Sequence, residues 1–144
     1  MSGTFRVGPV LSLAQLEAVI ATADIGPGPS KIQLYTTARH AALDGAAGDL
    51  PQAEVVLAVP CASIVGGALV LHVANPDGTL VMSTGLPRWA LWVNGAGAIV
   101  AEGSVTDEAN GGDFWVAGGV TPPGETSPLL QAGGLVLLGA TSLT

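Results

Sequence analysis

The alternation of apolar and polar positions is clearest between Pro87 and Val105. Trp89, Leu91 and Val93 alternate with Arg88, Ala90 and Asn94, the period-two pattern of a strand with one buried face. Asn94-Gly95-Ala96-Gly97 follows with residues that accept positive φ, as a tight hairpin turn requires. Ala98 to Val105 then reads as the returning strand, with Ile99, Ala101 and Gly103 on one face and Val100, Glu102 and Ser104 on the other. Two of the three tryptophans lie in this stretch, which places the hairpin in the middle of a β core. On this parity Trp89 points into the core and Trp92 away from it.

The remaining segments are read in the same way. Residues 1–11 form a short N-terminal arm that carries Phe5, Val7 and Val10, and Gly8-Pro9 interrupts any strand there. Two readings of the arm stand: a loosely ordered terminus that packs one or two residues down, or an arm that reaches a neighbouring subunit. Ser12 opens a helix, because Ser12 and Gln15 have capping-box spacing. Leu13, Leu16, Val19 and Ile20 share a face, so the helix lies on the sheet, and Gly26-Pro27-Gly28-Pro29 stops it.

Strands are expected at 31–37, with Ile32 and Leu34 inward, and at 53–59, where Pro60 ends the strand; the long loop Ala38–Gln52 lies between them. Ala68–Ala74 and Thr79–Thr84 read as a hairpin around the turn Asn75-Pro76-Asp77-Gly78. After the central hairpin come the acidic loop Asp107–Asp113, a short strand Phe114–Ala117, a proline-rich excursion at 121–128 and a last strand Leu135–Leu143. About eight short strands with one N-terminal helix predict an all-β fold, a two-sheet β-sandwich of jelly-roll type, forming one domain over residues 12–144. No repeat with a period of about 20–50 residues emerges.

Composition sharpens this picture. The 144 residues suit one domain with a core that needs no metal or disulfide support. Only 10% of residues are charged while 49% are hydrophobic, and low charge suggests surface that is buried against partners. The four basic residues, Arg6, Lys31, Arg39 and Arg88, are scattered among eleven acidic ones, for a net charge of −7. Binding to nucleic acid or to an anionic membrane needs clustered cations, so neither is expected. The single cysteine, Cys61, excludes an internal disulfide and reads as a small buried hydrophobe. Met1–Arg6 has no signal-peptide pattern, and apolar stretches such as Leu135–Leu138 are too short to cross a bilayer.

No phosphate-binding loop, dinucleotide fingerprint or nucleophile elbow is present. His40 and Asp44 stand four apart but in a glycine-flanked loop, and His72 alternates with Leu71 and Val73 and reads as an outward sheet residue. The loop 107–113 offers carboxylates, yet Ala109 and Gly111 occupy positions where a calcium loop places ligands, so it reads as a solvated turn. No catalytic, metal-binding or cofactor-binding residue is assigned. Trp92 and Trp115 remain as candidates for a partner interface, where tryptophan is enriched. Exposed tryptophan also suits stacking on sugars, which keeps a carbohydrate-binding module as an alternative.

Four motifs follow one another in order: Lys31-Ile32-Gln33-Leu34-Tyr35-Thr36-Thr37-Ala38-Arg39; the apolar strand Val55–Val59 ending in Pro60; the hairpin with Trp89, Asn94, Gly97, Val100, Gly103 and Val105; and the glycine-led Gly133–Leu138. This order resembles a family of small virion proteins of tailed double-stranded DNA phages, which includes the jelly-roll decoration, or cement, proteins of capsids. The chain departs from the pattern at Thr37, where glycine is usual, in the insertion at 121–128 and in its longer N-terminal arm. The resemblance implies a non-enzymatic protein on the capsid exterior, assembled in the host cytoplasm. It would bridge subunits of the major capsid protein and associate with itself as a dimer or trimer. The expected interface residues, Phe5, Val7, Val10, Trp92 and Trp115, come from the arm and the tryptophan pattern and not from the resemblance, within which the alternative is a tail, neck or fibre position.

Overall fold

The computed structural model describes residues 6–39 and 49–139 and the backbone of residues 142–143. Phe5, His40 and Asp44 therefore lie outside the described residues. Helix α1 (Pro9–Ala23) precedes the strands β1 (Lys31–Tyr35), β2 (Ala53–Val65), β3 (Ala68–Val73), β4 (Thr79–Leu80) and β5 (Trp89–Val93). They are followed by β6 (Ile99–Thr106), β7 (Phe114–Ala117), β8 (Leu135–Leu138) and β9 (Ser142–Leu143), with a 3-10 turn at Glu108–Asn110. The chain is thus mostly β with one helix, as its sequence pattern indicates.

All nine strands fall in one hydrogen-bonded order, β4-β8-β7-β6-β5-β1-β2-β3-β9. That order cannot be flat. β8 is second and β9 last, so an open ladder would hold them roughly 34 Å apart at the usual strand spacing. Leu138 and Ser142 are four residues apart, a reach of about 14 Å at most. The sheet therefore curls until its two ends approach. Hydrogen bonds mark the seam: Met82 N–H donates to Gln52 O (2.8 Å), and Gln52 Nε2 donates to the carbonyls of Ser83 (3.0 Å) and Gly85 (2.9 Å). On its other side the same segment bonds to Gly134 and to Leu130.

Several expected boundaries move, each for a physical reason. α1 begins at Pro9, with Gly8 as its cap in extended geometry, and not at Ser12. Proline fixes φ for the first helical position and lacks an N–H that would go unpaired there, so the residues read as a strand breaker start the helix instead. β2 does not stop at Pro60; a register shift between Leu57 and Ala62 accommodates it, and the strand runs on to Val65. β4 is only two residues long and pairs with β8, not with β3. The expected last strand is two strands, β8 and β9, second and last in the strand order.

The central hairpin is as read, and β5 stands fifth in the order of nine. Its faces are not as read. Trp92 is fully buried in the main core, inside the curl, with Ile32, Leu34, Phe114 and Val136. Trp89 is equally buried but on the opposite face, in a small second cluster with Tyr35 and Leu91. A bulge after Trp92 moves Ile99 opposite Val93, so Ile99 joins the outer cluster instead of sharing a face with Ala101. The turn packs closely: a side-chain carbon on Gly26, at φ 112°, would collide with Ala96 N, and one on Gly95 would collide with Gly28 O. Two glycine-rich turns thereby meet backbone to backbone.

Candidate partner interface

The residues singled out in the sequence separate once the fold is in view. Trp92 has no exposed surface, so it presents nothing to a partner: both faces of β5 are buried, and the expected outward position of Trp92 is corrected to the main core. Trp115 is half-buried and lies on the outer face of β7, between Phe114 and Val116, which point into the core. Val7 and Val10 are exposed, Val10 at 85%. His72 is exposed and its Nε2 lies 2.9 Å from Ser63 Oγ. Cys61 is buried, its N–H donates to the Asp24 carboxylate (3.2 Å), and burial foremost, with Asp24 second, pushes the thiol up to about 12. A thiol that stays protonated in neutral solution is a poor nucleophile.

The acidic loop is structural. Asp107 caps the 3-10 turn, accepting from Asn110 N (2.9 Å) and Asn110 Nδ2 (2.7 Å), and its other oxygen accepts from Thr121 Oγ1 (2.6 Å). Those bonds, Thr121 first, hold its carboxyl below the usual carboxylate range. Asp113 accepts from Ser104 N (3.0 Å). Both carboxylates are thus engaged by the chain itself. Among the described residues no three His, Cys, Asp or Glu side chains converge on a common point, and no helix is long and apolar enough to cross a membrane.

What the fold assembles instead is an apolar surface. In β8, Val136 and Leu138 are buried while Leu135 and Leu137 point outward, 53% and 43% exposed. Leu135 stands opposite Leu80 of β4, and Leu137 opposite Ala117 of β7. Trp115 is two residues from Ala117 on the same face. Leu80, Leu135, Leu137, Ala117 and Trp115 thus form one stripe across three strands that contain no charged residue. Glycines shape it. The indole of Trp115 sits where a side chain on Gly139 would go, and a side-chain carbon on Gly78 would come within 3.1 Å of Leu135 Cβ. Met82, also exposed, continues from β4 to a shallow recess of about 370 Å³ with Leu50, Pro51, Glu54 and Ser83.

A second apolar surface is the start of α1. Its C-terminal end is fastened: Asn94 Nδ2 donates to Thr22 O (3.1 Å), Gly95 N to Ile25 O (3.1 Å), and only Leu16 and Ala23 are fully buried. Its first turns are bare, with Val10, Leu11 and Leu13 exposed. Leu13, expected on the buried face, is outside it. Of the residues singled out in the sequence, Val7 and Val10 lie at this bare start and Trp115 at the end of the stripe, whereas Leu80, Leu135 and Leu137 were not singled out. The alternation in Leu135–Leu138 was the available signal, and it does not say whether the outward side is covered.

Comparison with known proteins finds no match: no family model fits the sequence, and neither a curated protein nor a solved structure is similar to it.

Proposed function

We propose that this chain is a non-enzymatic binding and assembly protein, and specifically a decoration protein that cements the outer surface of a tailed-phage capsid. The observation that carries the binding role is the uncharged stripe Leu80–Leu135–Leu137–Ala117–Trp115 on an acidic chain. A contiguous apolar surface on a soluble fold marks a contact site, and a half-buried tryptophan at its end is a suitable anchor. The capsid as partner rests on the motif resemblance given above. In this reading the curled sheet is a jelly-roll-like sandwich, the stripe seats on the major capsid protein, and the bare start of α1 reaches a neighbouring subunit. Repetition over many copies makes a modest contact sufficient for durable attachment.

The test is cosedimentation of the purified chain with empty capsids of its phage, with copy number quantified. Saturable binding at a number commensurate with capsid symmetry, abolished in Leu135→Asp/Leu137→Asp, supports the reading. Retention on isolated tails with none on heads would move the same surface to a tail or neck position. Retention on immobilised glycans instead, lost in Trp115→Ala, would replace it with carbohydrate binding.

A further inference from the structure

The chain contains two Asn-Gly pairs, Asn94-Gly95 and Asn110-Gly111, and the fold treats them oppositely. We propose that Asn110-Gly111 is a site of spontaneous covalent modification, converting to aspartate and isoaspartate through a cyclic imide, while Asn94-Gly95 is protected.

The reaction needs only water and base. The Gly111 amide nitrogen gives its proton to hydroxide and bonds to Asn110 Cγ. The Cγ–Nδ2 bond breaks, and the nitrogen leaves as ammonia after taking a proton from water. Water then opens the imide at either carbonyl, leaving an aspartate or an isoaspartate at position 110. Glycine in the second position offers the attacking nitrogen without a side chain in the way, and asparagine is among the thermolabile residues for this reason.

Geometry decides which pair reacts. Asn110 is exposed and ends a three-residue 3-10 turn. Among the described residues its side chain makes one bond, Nδ2 to Asp107 Oδ1, and Gly111 N–H donates to Glu108 O at a long 3.3 Å. Gly111 has open space where a side chain would be. Asn94 is only 6% exposed; its Nδ2 donates to Thr22 O, its Oδ1 accepts from Ala96 N (3.0 Å) and Ala98 N (2.9 Å), and Gly95 N–H is committed to Ile25 O. Gly95 is also pressed against the Gly28 backbone. Attack at Asn94 requires these bonds to open together, which slows it on the order of a hundredfold relative to Asn110.

Conversion at position 110 changes the local charge. A group that donates to Asp107 becomes a second carboxylate beside it, adding one negative charge to a formal −7 and loosening the cap that also ties Thr121 to the loop.

The experiment is peptide mapping by mass spectrometry of folded protein incubated in mildly alkaline buffer, with a parallel sample unfolded in urea. The expected result is conversion of Asn110 and retention of Asn94 in the folded sample, and conversion of both in urea, with the rate at Asn110 rising with pH. Retention of the amide at Asn110 in the folded sample while it converts in urea overturns the proposal. So does conversion of Asn94 at a rate comparable to that of Asn110.

Discussion

The outer face of the sheet has two halves that treat the same problem differently. Over β1, β5 and β6, apolar side chains point outward and are buried all the same. Tyr35 stacks on Trp89 with ring centroids 4.7 Å apart, and Leu91 completes the cluster. Polar neighbours surround it: Glu102, opposite Leu91, takes Arg39 at 2.9 Å, Arg88 takes Glu125 at 2.8 Å, and Tyr35 Oη donates to Gln33, which donates to Glu54. Over β7, β8 and β4 the outward residues are equally apolar, but among the described residues no ion pair spans them and they remain open. The difference teaches that outward apolar residues are not a partner signal in themselves. What distinguishes the two halves is whether the chain supplies its own cover.

Substitutions that set one half or one face against another test this directly. The largest effect is expected inside the curl. Trp92→Ala leaves a core cavity and costs about 3–5 kcal/mol in urea unfolding, whereas Trp115→Ala, on the outer face and only partly buried, costs clearly less. Equal losses at the two positions would mean that Trp115 belongs to the core and not to the stripe.

The interior also has a titrating reporter. Burial raises the Cys61 thiol to about 12, so the folded state keeps it neutral where the unfolded chain ionises it. Its contribution to stability is complete below the unfolded thiol value near 8.5 and is lost as pH rises from there toward 12. The alkaline decline between those limits is expected to flatten in Cys61→Ala, read by urea midpoints at successive pH values, with thiol alkylation slow in the folded protein.

In the covered half, a double-mutant cycle on Tyr35→Leu and Trp89→Leu is expected to show a coupling of about 0.5–1.5 kcal/mol from the stack. In the open half, Leu135→Asp/Leu137→Asp is expected to change folding stability by no more than about 0.5 kcal/mol per site while abolishing sedimentation with the partner. A large stability loss there would show that the stripe is covered by the chain itself, as the other half is. Small as well is Arg39→Ala, whose ion pair with Glu102 is partly exposed and is expected to contribute under about 1 kcal/mol.

How much of this was legible in the sequence follows from element length and periodicity. The β5–β6 hairpin announced itself through alternation and an Asn-Gly turn, and α1 through its apolar spacing. The inward face of β5 did not, because Trp-Ala-Leu-Trp buries residues of both parities. β4 is two residues long and carries no period, so its pairing with β8, more than fifty residues later, left no mark. The bulge after Trp92 reversed Ile99 without any change in the alternating pattern. The stripe was hidden for a different reason: Leu135 and Leu137 read as strand residues, and whether a strand's outer face is covered depends on elements far away in the chain.

The seam of the curled sheet bears on how the molecule is made. β4 pairs with β8 and β3 with β9, so strands near the middle of the chain keep bare edges until segments more than fifty residues later are in place. Pairings of that sequence separation are slow to form, and strand edges left open meanwhile invite neighbouring nascent chains. β8 and β9 therefore act as a latch as well as a pair of strands.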